Sequence, residues 1–120
     1  MSGNSNFTSQ FECDERTHVC VVTLTGNFDP FAVEGLQPRV QEKVDAGYRR
    51  YVFDLSQLHH IGSLGLRLLV GLHNQVKGNG AVVLCAVSSK VQAILDLTKV
   101  RNVLPQHSTR ADALDAVKSR

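Results

Sequence analysis

Tryptophan is absent from this chain and only 6% of its residues are aromatic, so it has little to offer as a stacking platform for single-stranded nucleic acid. Neither sign of charge dominates. Thirteen basic residues face 11 acidic ones, for a net charge of +2, and the densest basic group is Arg49-Arg50. That balance excludes a nucleic-acid binder driven by phosphate electrostatics. No apolar run approaches the roughly 18 residues that a membrane helix needs. The opening stretch, MSGNSNFTSQ, has neither the charged nor the apolar segment of a secretory signal, so a cytoplasmic location is expected. Cys13, Cys20 and Cys85 form no CxxC pair. Their odd count argues against a disulfide framework and against a cysteine zinc site, and their strand-like surroundings predict buried free thiols. His18, His59, His60, His73 and His107 lack metal-ligand spacing, and no metal or cofactor is expected.

What is present is a globular composition: 120 residues, 42% hydrophobic and 20% charged, enough for one core in one domain. Residues 1–10 are rich in Ser and Asn and read as a flexible N-terminus; residues 11–120 read as a single domain. Phe11 and Cys13 alternate with Glu12 and Asp14, the pattern of a half-buried strand. Val19 to Leu24 is a nearly continuous β-branched run, a more deeply buried strand that Gly26 is expected to stop. Asp29-Pro30 reads as a helix cap followed by proline at the first helical position, with Val33, Leu36, Val40 and Val44 at helical spacing. Pro38 predicts either a kink or an irregular first turn. Tyr51 to Leu55 is a strand, and Ser56 to Gly62 a loop.

Ser63 opens a second helix that ends at Gly78-Asn79-Gly80. Ala81 to Cys85 is a strand, Ser88 or Ser89 caps a third helix, Val103 to Pro105 is a short edge strand, and Ser108 or Thr109 caps a last helix. Strands alternating with helices imply an α/β fold with a mixed, mostly parallel sheet of four to five strands and about four helices. The N-terminal strand should lie antiparallel at one side.

In such a sheet, ligands and partners gather at the carboxyl ends of the strands. There Ile61-Gly62-Ser63-Leu64-Gly65 places a hydroxyl at a helix N-terminus between two glycines, a position hospitable to an anion and to a phosphate carried by Ser63 itself. A plain capping serine is the other reading. Gly62-Ser63-Leu64-Gly65 is one residue short of a hydrolase elbow, no Lys-Ser/Thr follows the glycines as in a P-loop, and His59-His60 is a solvated pair in the same loop. No acid, base and nucleophile converge, so no enzyme is expected. On the second helix, Leu64, Leu68, Leu69, Leu72 and Val76 form the expected core stripe. Leu66 and Val70 fall outside it, flanking Arg67; they read either as a partner surface or as positions covered by a neighbouring helix.

Several of these segments together resemble STAS domains of the anti-sigma factor antagonist type, over about Phe11 to Val117. Val52-Phe53-Asp54-Leu55-Ser56 followed by Ile61-Gly62-Ser63-Leu64-Gly65-Leu66 is similar to the family's strand ending in Asp-Leu and its Asp-Ser-Ser/Thr-Gly-Leu loop. Gly26-Asn27-Phe28-Asp29 sits at the family's Gly-x-Leu-Asp turn, and Gly78-Asn79-Gly80 at its Gly-Gly. Val91 to Thr98 resembles its Val-x-x-x-Leu-x-Leu-Thr helix.

The resemblance implies a non-enzymatic switch. Its partner would be an anti-sigma factor that is also a histidine-kinase-like serine kinase, its phosphoacceptor Ser63, and a phosphatase would reset it. With the helix-face reading of Leu66, Arg67 and Val70, the candidate partner-binding positions are Asp29, Gly62, Ser63, Leu64, Gly65, Leu66, Arg67 and Val70. Two of these depart from the family: Gly62 replaces an Asp, and Leu64 a Ser or Thr. Alternative readings are a scaffold module of a stressosome, an accessory subunit of a membrane transport complex, or a nucleotide- or anion-binding helix end at Gly62–Gly65.

Overall fold

A computed structural model describes residues 7–118. Five strands form one sheet in the order β1-β2-β3-β4-β5, built from Phe7–Asp14, Val19–Phe28, Arg50–Ile61, Ala81–Cys85 and Gln106–His107. β1 runs antiparallel to β2, and all other neighbours are parallel. The described residues also form four α-helices: α1 (Pro30–Asp45), α2 (Ser63–Val76) and α3 (Ser89–Thr98) connect successive parallel strands, and α4 (Arg110–Lys118) follows β5.

The period of two in the strands sorts the core into two layers. Cys20, Val22 and Leu24 of β2, with Tyr51, Phe53 and Leu55 of β3, pack under α1, α2 and α3. Val19, Val21, Val52, Ala81, Val83 and Cys85 point the other way, under Ala113 and Val117 of α4. Central strands covered on both faces must be apolar on both, which is why these segments read as continuous hydrophobic runs.

Several expectations are corrected. β1 begins at Phe7, so Phe7–Gln10 belong to the sheet; residues 1–6 lie outside the described residues. Cys13 and Cys20 are not free thiols. They are direct cross-strand partners, their Cα atoms are 4.0 Å apart, and they form a disulfide, leaving Cys85 as the buried free cysteine. Gly26 does not end β2. Its φ of 98° accommodates a register shift between Gly26 and Asn27, and the strand continues to Phe28. β3 does not stop at Leu55 but runs to Ile61, pairing Gln57, Leu58, His60 and Ile61 with β2. The short edge strand is Gln106–His107, beyond Val103–Pro105. α1 passes through Pro38 without a break: Glu34, whose carbonyl loses its amide donor, is exposed and can turn to water.

On the α4 face lies one buried charge. Asp54 accepts from Arg110 Nη2 at 3.0 Å and from its Nε at 3.3 Å, while Arg110 Nη1 reaches Glu12 at 3.3 Å. Burial pushes the Asp54 carboxyl upward, but the Ser56 backbone and hydroxyl and the Arg110 guanidinium outweigh it, and the group is held below the usual carboxylate value. Burial, helped by Asp54, pushes the Cys85 thiol up to about 11.

Candidate functional site

β2 and β3 end side by side, with Phe28 opposite Ile61. Because they are parallel, α1 and α2 start at the same end of the sheet. Asp29 caps α1, its Oδ1 accepting from the Ala32 amide at 2.9 Å. Gly62 occupies the capping position of α2. Its amide donates to the Phe28 carbonyl at 3.3 Å, and its carbonyl accepts from the Leu66 amide at 3.0 Å. Ser88 and Thr109 cap the two later helices through their hydroxyls. Gly62 can do no such thing, so the first amides of α2 have no side-chain acceptor.

Ser63 is the first residue of α2 and is exposed. Among the described residues nothing hydrogen-bonds its hydroxyl, so it is a helix-opening residue and not the cap. The next turn explains why the loop carries a second glycine. A Cβ at Gly65 would lie 2.8 Å from Phe28 Cδ2 and 3.0 Å from Ile61 Cγ1. Glycine lets α2 settle directly on the ends of both strands. At Gly62 the opposite holds: a Cβ there would meet only His60 Nε2, at an ordinary 3.9 Å. The site therefore does not need glycine at that position.

The close seating of α2 rotates its buried stripe away from the expected one. Gly65, Leu66, Leu69, Leu72 and Val76 are buried, whereas Leu64 is 41% exposed. At 100° per residue Leu64 lies about 140° from Leu69, on the far side of the helix. Leu66 is only 8% exposed, and Val70 is half-buried against the core. The reading of Leu66 as partner surface is thus corrected to core, and Gly65 is a packing residue. Ser63, Leu64 and Arg67 do share the exposed side, while Asp29 is half-buried with its carboxylate committed to the cap.

One surface residue escaped the sequence reading. Phe31, in the first turn of α1, is 83% exposed. Its signal was available: it stands two residues before Val33, about 200° off that helix's core stripe. Among the described residues no cluster of His, Cys, Asp or Glu could hold a metal. This end of the molecule presents the exposed Ser63 hydroxyl next to the exposed Leu64 in the first turn of α2, and the exposed Phe31 in the first turn of α1.

Comparison with known proteins is decisive for the family. A family model described as the STAS domain matches residues 10–113. The chain belongs to the STAS domain family. Among curated STAS relatives, a protein named by inference as the anti-sigma factor antagonist BtrV of Bordetella bronchiseptica is 28% identical over 107 residues, 88% of this chain and 92% of that one. A crystal structure of an anti-sigma factor antagonist from Mycobacterium paratuberculosis superposes with a TM-score of 0.85 at 24% identity, covering 98% of this chain and 99% of that one. SpoIIAA, an anti-sigma factor antagonist solved in its unphosphorylated form, gives 0.80 at 21% identity, covering 94% and 98%. At these identities the two structures establish the shared fold: a mostly parallel five-stranded sheet with four helices. Among the described residues no helix of this STAS domain is long and apolar enough to cross a membrane.

Proposed function

We propose that this STAS domain is an anti-sigma factor antagonist that binds an anti-sigma factor of the histidine-kinase-like serine kinase type and is switched at Ser63. The observation that carries the reading is the exposed Ser63 hydroxyl, without a hydrogen-bond partner among the described residues, at the start of a helix without a side-chain cap. A kinase reaches such a hydroxyl without unfolding anything. A phosphate there adds about −1.5 to −2 charges beside the positive end of the α2 dipole, where an exposed anion gains roughly 0.3–1 kcal/mol. The domain thus keeps its fold when modified, and the change falls on the partner. A protein seated on Phe31 and Leu64 would have to bury a strongly hydrated dianion, at a cost it does not meet with the bare serine. The named relatives support the partner class, and SpoIIAA of Bacillus has been solved in a phosphorylated form. A phosphatase completes the cycle.

The test incubates the purified protein with the candidate kinase from the same genome and ATP, then maps phosphate by mass spectrometry. Phosphate at Ser63, tight binding by Ser63→Ala and loss of binding by Ser63→Asp are expected. No phosphate at Ser63, with Ser63→Asp binding as well as wild type, sinks the switch.

A further inference from the structure

Between α1 and α2 lies a cleft of about 490 Å³. It opens beside Leu64 and runs back to Gln41 and Gln75, whose amides meet at 3.4 Å and close the far end. Its α2 wall is Leu64, Arg67, Leu68, Gly71, Leu72 and Gln75, spaced so that one face of the helix lines it for three turns, about 16 Å. Val33 and Val40 of α1 face them. Gly71 deepens the cleft, because a Cβ there would meet nothing within 4 Å. Its charge is one-sided. Arg67 is the single charged residue of the lining, and among the described residues it has no ion-pair partner.

We propose that this cleft receives an amphipathic helix of the anti-sigma factor, about three turns long, with apolar residues over Leu64 and Leu68 and a carboxylate paired with Arg67. The inference rests on the partner class argued above and adds where and with what chemistry that partner is held. Three features select this occupant. The length matches a short helix. The exposed apolar side chain at the mouth, Leu64, adjoins Ser63, so the cleft continues the surface on which the switch acts. The Arg67 guanidinium, exposed and without an ion-pair partner among the described residues, sets a positive charge beside the apolar wall that a partner carboxylate can meet as a bidentate pair.

The test uses the full-length protein. Gly71→Leu fills the cleft while replacing a helix-interior glycine by a better helix former, so its melting temperature should not fall. Arg67→Glu reverses the charge. Calorimetry against the purified serine kinase of the same genome should show each variant binding at least tenfold more weakly than wild type. A second arm uses fluorescein-labelled 15-residue Leu/Ala helical peptides carrying Glu, or Lys, at the position facing residue 67. The Glu peptide should bind wild type and not Gly71→Leu, and the Lys peptide should prefer Arg67→Glu. If the kinase binds wild type and both variants alike, the cleft assignment is overturned and the switch at Ser63 stands. If the kinase does not bind wild type at all, the partner class is wrong, and the peptide arm decides the cleft alone: discrimination by Gly71→Leu and by charge upholds it, and its absence overturns it.

Discussion

The Arg110 guanidinium holds the Asp54 carboxylate with two nitrogens, at 3.0 and 3.3 Å, and so ties the first residue of α4 to the middle of β3. Asp54 is buried and Arg110 partly exposed, which places the pair between a surface bridge and a fully desolvated one. Arg110→Gln should therefore cost about 1–2 kcal/mol, less than the loss of a fully buried partner. The sign of its pH dependence follows from the lowered pKa of Asp54. The contribution is present in full above the ordinary value of 3.8 and is lost as pH falls through the depressed one. Urea midpoints of wild type and Arg110→Gln should differ at neutral pH and converge as the pH is taken progressively below the ordinary carboxylate value of 3.8. A gap that stays constant with pH would assign the effect to packing of the arginine stem.

The two loop glycines make opposite predictions. Gly65→Ala pushes a methyl to 2.8 Å from the buried Phe28 ring and should destabilise by about 1–3 kcal/mol, the cost of overpacking. Gly62→Asp meets no obstacle, supplies the missing side-chain acceptor for α2 and places an anion at its N-terminus. It should stabilise by about 1 kcal/mol. Thermal unfolding of both variants checks this, and stabilisation by Gly65→Ala would contradict the close seating of α2.

The strands and helices were legible where one physical signal dominated: alternation in β1, apolar runs in the doubly covered β2 and β4, and the Asp29-Pro30 start of α1. What was missed has a common cause, since each feature depends on a neighbour distant in sequence. His59 and His60 look like loop residues because β3 there has passed the end of β4, so its polar positions face solvent while the backbone still pairs with β2. The Cys13–Cys20 bond follows from hairpin register: with a turn over residues 15–18 the two cysteines face each other, which counting cysteines ignores. The stripe of α2 was rotated because the contact of Gly65 with Phe28 and Ile61 is invisible in a helical wheel. The position of Ser63 as the opening residue of α2 was legible, through its place between two glycines after a strand.

The cysteine pairing gives a stoichiometric prediction. Cys85 is buried and its thiol is pushed up to about 11, so native protein should resist alkylation at neutral pH, because the thiolate is the reactive form. Unfolded without reductant, the chain should take up one alkyl group, at Cys85; unfolded with reductant, three. Intact-mass measurement reads the count directly. Three labels without reductant would show that Cys13 and Cys20 are unpaired.

The sharpest test of the site separates two leucines two residues apart. Leu66 is core, and Leu66→Ser removes a buried side chain and leaves a hydroxyl in its place, so a loss of about 2–4 kcal/mol is expected. Leu64 and Phe31 are exposed, and changing either to Ser should alter stability within about 0.5 kcal/mol. Their effect should appear in binding. Centrally placed apolar anchors in an interface cost about 2 kcal/mol or more when truncated, so Phe31→Ser and Leu64→Ser should each weaken the kinase complex by at least tenfold. Paired denaturation and calorimetry separate the two classes. Equal partner affinity in wild type, Phe31→Ser and Leu64→Ser would move the interface away from this end of the sheet, and an unfolded Leu64→Ser would put the original stripe back in place.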